Sequence, residues 1–142
     1  MANYTELNVY KATYGLLFDL LSASKSFNRD FKYTLGENLK NEMIDAMMFI
    51  WRANSTYNKV DYIDKARESI EKCRLYIRLL YDLRQISIEN FTKWNIAIQN
   101  ISKQLAGWNK SQNAVANEKT ENTESICFCY GKKKNKVNKL TN

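Results

Sequence analysis

Three arginines are spaced to act together on one helix. Arg67, Arg74 and Arg78 follow one another at intervals of seven and four residues, so in an α-helix their side chains fall within about 40° of one another. A guanidinium group presents a planar fork of donors that suits phosphate oxygens, and its charge does not depend on pH. These residues, which we call the arginine row, are therefore a candidate phosphate-binding site.

A plainer interpretation of the arginine row stays open. Asp64, Glu71 and Asp82 lie just beside it on the same helix, and ion pairs with them would make the row a solvated charged face. The chain as a whole carries a net charge of +7. That surplus favours a polyanionic partner, with nucleic acid first, because basic surface neutralises phosphates and releases counterions.

A second basic cluster lies near the end of the chain, at Lys132, Lys133, Lys134 and Lys136. It is a candidate phosphate-binding arm, and a solubilising or localising tail is the alternative. The nearby pair Cys127 and Cys129 offers two thiolates without a second pair, so we expect no metal.

Catalytic chemistry is poorly supported. The chain contains no histidine, which removes Ser-His-Asp and Cys-His nucleophiles and histidine-ligated zinc. Asp64, Glu68 and Glu71 share a helix face, but their basic neighbours favour an ion network over acid–base work. We expect no enzyme activity and no cofactor.

The elements that must position these residues are helices. The chain has no proline and four glycines, which disfavours turn-rich β folds. Spacings of three and four predict four helices, and these pack most simply as an antiparallel up-down-up-down bundle over residues 1–108, with the fourth helix opening near Ser87 and ending at Gly107. The apolar positions are Leu7, Tyr10, Tyr14, Leu17 and Leu21, then Leu35, Leu39, Met43, Ala46, Met47 and Ile50, then Ile63, Ala66, Ile70, Cys73, Ile77 and Leu80, then Phe91, Trp94, Ile98, Ile101 and Leu105.

Residues 109–142 lose this periodicity. They are rich in Asn, Lys, Thr and Glu, a composition that buries too little apolar surface to offset the entropy of ordering. The sequence therefore predicts a basic, mostly disordered C-terminal tail.

Two helices carry a second apolar row, which a simple bundle does not need. Leu75, Leu79 and Leu83 lie away from the main stripe of the third helix, and Leu16 and Leu20 lie opposite Tyr14 and Leu21 on the first. One stripe of about 100° is enough for a monomeric bundle, so these leucines predict an oligomer or partner interface. The alternative is that a small bundle buries wide faces.

The expected location is the cytoplasm. Three cysteines cannot pair fully, which fits a reducing setting. The first residues lack the pattern of a signal peptide, and no apolar run approaches the about 20 residues of a membrane span. We therefore expect a soluble protein without a membrane partner.

A succession of segments along the chain carries a family resemblance. The segments are DFKYTLGENL at 30–39, WRANS at 51–55 with NK at 58–59, KARESIE at 65–71, RLYIRLLYDL at 74–83 and QLAGW at 104–108. Taken in order, they resemble the accessory variability determinant family of diversity-generating retroelements, over about residues 7–108, while the tail does not map to the family pattern. More distant relatives are the four-helix proteins encoded in intervening sequences of 23S ribosomal RNA genes.

The resemblance implies a non-catalytic partner of a reverse transcriptase, encoded by a bacterium or a phage. It implies a ring-shaped homo-oligomer, a pentamer of four-helix bundles, with a basic surface that binds the enzyme and the template-repeat RNA, or DNA or an RNA–DNA hybrid. Such a protein is needed for adenine-mutagenic cDNA synthesis in mutagenic retrohoming. The competing expectation is a helical interaction protein of the intervening-sequence type, without a reverse transcriptase partner.

Overall fold

The fold is all-α, as the sequence predicts. The structure, a computed structural model, describes the backbone of residues 3–140 and the side chains of residues 3–118. Residues 3–140 contain no strand. Four long helices account for most of them, namely α1 (Asn8–Ala23), α2 (Glu37–Ser55), α3 (Val60–Asp82) and α4 (Ile88–Leu140).

Short helical turns lie before α1 and between α1 and α2. They are 3₁₀ turns at Tyr4–Glu6 and Ser24–Ser26, an α-helical turn at Arg29–Phe31 and a π-helical turn at Lys32–Gly36. The π turn passes directly into α2, which begins without a side-chain cap. The helical backbone that leads into α2 therefore begins at Arg29, six residues before Leu35, the first apolar position predicted for this helix.

The core follows the predicted apolar spacing on three of the four helices. On α3 all six predicted positions, from Ile63 to Leu80, are fully buried. Trp94 is the largest fully buried side chain, and it packs with Ile98, Ile101 and Leu105 of α4 in the same core cluster. Burying a large apolar side chain contributes about 1.5 to 3 kcal/mol, so these faces fix how the helices pack.

Three side-chain contacts join the helices to one another. Lys72 Nζ of α3 lies 3.6 Å from Glu42 Oε1 of α2, and α2 and α3 pack along one another. At the junction of α3 and α4 the rings of Tyr81 and Phe91 stack with centroids 4.2 Å apart. Lys93 Nζ of α4 lies 3.0 Å from Asp19 Oδ2 near the end of α1.

Each connector is closed by local hydrogen bonds. Between α2 and α3, Lys59 Nζ donates to the carbonyls of Ala53 and Asn54, which satisfies groups that a helix end leaves unpaired. At the start of α4, Ser87 Oγ accepts from the Asn90 amide at 3.2 Å. The predicted N-cap at Ser87 is thereby confirmed.

The predicted stop of the fourth helix at Gly107 is wrong. No glycine among the described residues has a positive φ, and Gly107 lies inside α4. Packing continues past it, because Trp108 contacts the core and the buried Asn109 side chain donates to Asp64 Oδ1 of α3. These contacts offset the roughly 1 kcal/mol by which glycine disfavours a helix interior relative to alanine.

The chain divides into two compact units, Met1–Asn109 and Lys110–Asn142. In the second unit the structure gives helical backbone through Leu140, where the sequence predicts disorder. That prediction rests on the missing core pattern, whereas a segment that is free of proline and rich in Lys retains helix propensity without a core. Along the described residues, no helix is both long and apolar enough to span a lipid bilayer.

Candidate nucleic-acid interface

The arginine row lies on one face of α3, with all three guanidinium groups at the surface. The side chains of Arg67, Arg74 and Arg78 are 44%, 43% and 62% exposed. The sequence therefore placed these residues correctly as a surface-exposed group on one helix face.

Each arginine of the row is held by a carboxylate on its own helix. The pairs are Arg67 with Asp64 at 3.7 Å, Arg74 with Glu71 at 3.5 Å and Arg78 with Asp82 at 3.2 Å. These are the pairs that the plainer interpretation predicts, and the structure confirms them. The three carboxylates offset the three positive charges of the arginine row, so these six residues together carry no net charge.

Such pairs are weak and exchangeable. Ion pairs between exposed side chains at helical spacing contribute about 0.3 to 0.5 kcal/mol each. Charge-assisted bonds from arginine to phosphate are short, frequently bidentate and roughly twice as strong as neutral hydrogen bonds. A phosphate can therefore displace Glu71 or Asp82 at small cost.

Arg78 has an aromatic neighbour as well. Its guanidinium carbon lies 5.9 Å from the centroid of the Phe91 ring, and Phe91 stacks in turn on Tyr81. This cation–π contact places Arg78 over the groove between α3 and α4, at the end of the row nearest their connector.

The exposed leucines of α3 lie where the sequence predicts them. Leu75, Leu79 and Leu83 are 58%, 38% and 40% exposed, and they follow one another at intervals of four residues along a surface that we call the leucine row. The prediction that Leu16 and Leu20 form a matching interface on α1 is wrong, because these side chains are only 3% and 2% exposed and belong to the core.

On α1 the sequence predicts the buried face only in part: Leu17 is buried and Leu7 and Tyr10 pack against the core, whereas Tyr14 and Leu21 are exposed. Tyr14, Phe18 and Leu21 are the exposed apolar residues of this helix, at 57%, 62% and 43%. Periodicity finds both faces but does not say which one is buried. The buried face is the aliphatic one, where the hydroxyl of the buried Thr13 donates to the Val9 carbonyl.

A further apolar surface on α2 escaped the sequence analysis. Ile44, Met48 and Trp51 are 48%, 45% and 39% exposed, at helical intervals of four and three. Met48 and Trp51, with Tyr4, Tyr10 and Met47, line a cleft of about 300 Å³. The same periodicity count that found the leucine row would have found these residues.

Other predicted sites are not tested by this geometry. Lys132, Lys133, Lys134, Lys136 and the pair Cys127 and Cys129 lie outside the residues whose side chains the structure describes. Within the described side chains, no three or more Cys, Asp or Glu residues are grouped to hold a metal ion.

Cys73 is the one described cysteine, and it is buried in the core of α3. Burial raises the pKa of its thiol from 9.0 to about 12, with a smaller contribution from the nearby negative charge of Glu42. A thiol that stays protonated and covered is neither a nucleophile nor a soft-metal ligand.

Neither the models of known protein families nor the sequences of curated proteins give a match to this chain.

Proposed function

We propose that this chain is a non-catalytic, nucleic-acid-binding accessory protein of a retroelement reverse transcriptase, of the accessory variability determinant type. The observation that carries the proposal is the arginine row, three exposed guanidinium groups on one face of a single helix in an all-α fold. The proposal also rests on the resemblance of residues 7–108 to that family.

The proposed architecture is an antiparallel up-down-up-down four-helix bundle. Three observations support it: the Glu42–Lys72 ion pair, the Tyr81–Phe91 stack and the Asp19–Lys93 ion pair. In each pair, one residue lies about as many residues before the end of its helix as the other lies after the start of its own helix, as antiparallel packing requires. An up-down bundle with short connectors satisfies all three.

The proposed assembly is a closed homo-oligomer, with a pentameric ring as the expected form. The exposed leucine row supports it, since such a row is a surplus for an isolated bundle. A ring would repeat each arginine row once per subunit, so that a long RNA could contact several rows at once with a gain in avidity.

The proposed mechanism is electrostatic scaffolding in the bacterial or phage-infected cytoplasm. Backbone phosphates of the template RNA replace the carboxylates beside Arg74 and Arg78, releasing counterions from the RNA. The RNA is thereby held beside the reverse transcriptase, while the accessory protein itself transfers no group and needs no cofactor.

Two variants with opposite expected effects test this mechanism. Replacing Arg67, Arg74 and Arg78 together by alanine should weaken binding of a fluorescein-labelled RNA hairpin. Replacing Glu71 by glutamine and Asp82 by asparagine should strengthen it, because the freed guanidinium groups no longer exchange partners. Fluorescence anisotropy gives both affinities, and circular dichroism checks that each variant is folded.

If the wild-type chain does not bind the hairpin at about 0.15 M salt, or if both variants bind as the wild type does, the arginine row is not a phosphate site. Co-purification with the reverse transcriptase of the same element tests the partner separately. If the wild-type chain does not co-purify with the enzyme, it is an RNA-binding protein without the proposed role.

The balanced charge of the arginine row favours one alternative, a helical interaction protein of the ribosomal intervening-sequence type. In that case the ion pairs only form a solvated charged surface, and the exposed apolar surfaces bind another protein. A reverse transcriptase gene and a repeat pair differing at adenines beside this gene would distinguish the retroelement role from the alternative.

A further inference from the structure

The connectors at one end of the fold concentrate the basic charge of the helical region. We define the loop end as residues 24–36, between α1 and α2, together with residues 83–87, between α3 and α4. It holds Lys25, Arg29, Lys32 and Arg84 against the single carboxylate of Asp30, a net charge of +3. Residues 1–110 as a whole hold 16 basic and 12 acidic residues, a net charge of +4, so three quarters of their surplus lies here.

The two connectors of the loop end are joined in space. The backbone amide of Asn28 donates to Gln85 Oε1 at 2.8 Å, so Arg29 and Arg84 each lie one residue from this bond. The 3₁₀ turn Ser24–Ser26 contacts the π turn Lys32–Gly36, which brings Lys25 and Lys32 to the same region. Phe27 anchors the arrangement, since it is buried and its ring packs against Gly36.

The basic side chains of the loop end, unlike those of the arginine row, are not paired with carboxylates in the part of the chain whose side chains the structure describes. Within residues 3–118, no Asp or Glu lies within ion-pair distance of Lys25, Arg29, Lys32 or Arg84. Lys25, Arg29 and Arg84 are exposed, and Lys32 lies over the Tyr33 ring at 5.9 Å. The nearest acidic residue on α3, Asp82, is already engaged by Arg78.

The opposite end of the fold provides a contrast. Its connector, residues 56–59, holds one basic residue, Lys59. The ammonium group of Lys59 is used internally, donating to the carbonyls of Ala53 and Asn54 at 3.1 and 3.3 Å. The two ends therefore differ both in charge and in the availability of that charge.

Arg84 occupies a backbone position at which glycine is the usual residue. Its φ is +60°. The Gln85 amide bonds to the Leu80 carbonyl and the Arg84 amide to the Tyr81 carbonyl, which is the pattern of a Schellman C-cap with Arg84 at the left-handed position. A non-glycine residue there costs about 1 to 2 kcal/mol. An exposed arginine held at such a cost points to a role outside folding.

From these observations we infer that the loop end is the primary phosphate-contact surface of this chain, and that it engages RNA backbone before the arginine row does. The inference rests on the proposed function and specifies where its RNA first binds. Loop-end cations can contact phosphate without displacing a carboxylate, whereas each arginine of the row must first exchange its partner. The arginine row then extends the contact along α3, beginning at Arg78, which lies nearest the loop end.

The test compares three variants of the full chain in binding a fluorescein-labelled RNA hairpin across a salt titration. The loop-end variant is Lys25→Ala, Arg29→Ala and Arg84→Gly, with glycine chosen because it adopts the left-handed backbone without strain. The matched control removes the same charge from three helices, with Arg52→Ala, Lys65→Ala and Lys103→Ala. The third variant is the arginine-row triple alanine described above.

We expect the loop-end variant to lose three phosphate contacts, which lowers the slope of log K against log salt by about 2 and the affinity at 0.15 M salt by about 50-fold. The arginine-row variant should lose less and the control should lose least. Circular dichroism and thermal melting must show the wild-type fold in every variant.

The outcomes separate the two proposals. If wild type binds the hairpin and the loop-end variant matches the control in affinity and slope, the inference is wrong and the proposed function stands. If wild type does not bind RNA, both are wrong. If the loop end instead captures vesicles of phosphatidylserine more tightly than the hairpin, its phosphate ligand is a lipid headgroup and the inference is overturned.

Discussion

A glutamate in the middle of the leucine row should dissociate the proposed oligomer without unfolding the subunit. We predict that Leu79→Glu is a folded monomer at micromolar concentration, whereas the wild type has several times the 16.7 kDa subunit mass, about five times for a pentamer. Leu79 is 38% exposed in the single chain, so a glutamate there can extend into solvent and leave the core intact.

The expected loss of association free energy follows from the exposed fractions of the leucine row. The exposed fractions of Leu75, Leu79 and Leu83, at 58%, 38% and 40%, together amount to little more than one fully exposed leucine. Covering that area is worth about 2 to 4 kcal/mol per row. An unpaired carboxylate at a dry contact costs several kcal/mol, which exceeds this gain and corresponds to a loss of affinity of about a thousandfold.

The same arithmetic shows that the leucine row cannot hold the oligomer alone. A dissociation constant of 1 μM requires about 8 kcal/mol, which is about two to four times what the leucine row supplies. Other exposed apolar residues must therefore be covered in the proposed assembly, and Tyr14, Phe18 and Leu21 of α1 are candidates because each is more than 40% exposed. A glutamate at Phe18 should weaken the assembly in the same way.

Multi-angle light scattering measures the mass, and thermal melting by circular dichroism measures the fold. Tyr57→Glu is the matched control, because Tyr57 is an apolar residue 85% exposed in the connector before α3. A wild-type chain that is monomeric at micromolar concentration refutes the oligomer. A Leu79→Glu chain with the wild-type mass refutes the assignment of the leucine row to the interface.

Three further outcomes follow from burial. Leu80 is fully buried, so Leu80→Ala should lower the free energy of unfolding by about 2 to 5 kcal/mol, and in a monomeric background Leu79→Ala should cost clearly less; equal urea midpoints would contradict the assigned faces. With both tail cysteines replaced by serine, Cys73 should resist thiol reagents near pH 8 until denaturant is added, and because its pKa is about 12 in the folded chain against 9.0 as the reference, its contribution to stability should be lost as pH rises from about 9 to 12; rapid labelling in the native state would show the core to be open. Cutting the chain after Lys110 should shift the melting temperature by less than about 5 °C, since the contacts of the first unit are retained; a larger drop would show that the second unit stabilises the first.

The sequence predicts the helices better than their outward faces. Ile63, Cys73 and Leu80 are buried as predicted, because the main stripe of α3 has six apolar positions and the leucine row has only three. On α1 two stripes of similar size compete, and the choice depends on the shape of the helices packed against it. Leu16 and Leu20 were therefore assigned to the surface, although they lie in the core.

The sequence predicts the ends of the helices less well than their buried faces. Glycine at position 107 predicts the end of a helix, but α4 continues past it because Trp108 and Asn109 make tertiary contacts. The true left-handed C-cap is at Arg84, a residue type that gives no local signal for that conformation. The loop end was missed for a related reason, since its four cations come from two connectors that are 47 residues or more apart in sequence and are joined only by the Asn28–Gln85 bond.

The arginine at the C-cap of α3 also bears on how this protein would be engineered. A search for stabilising substitutions would select Arg84→Gly early, because it relieves a left-handed backbone at no cost in packing, for a gain of about 1 kcal/mol. The same change would remove a quarter of the positive side chains from the loop end. If the loop end binds RNA as inferred, thermostability and RNA affinity move in opposite directions at this position, and a variant library scored on both properties reveals the trade-off in a single codon.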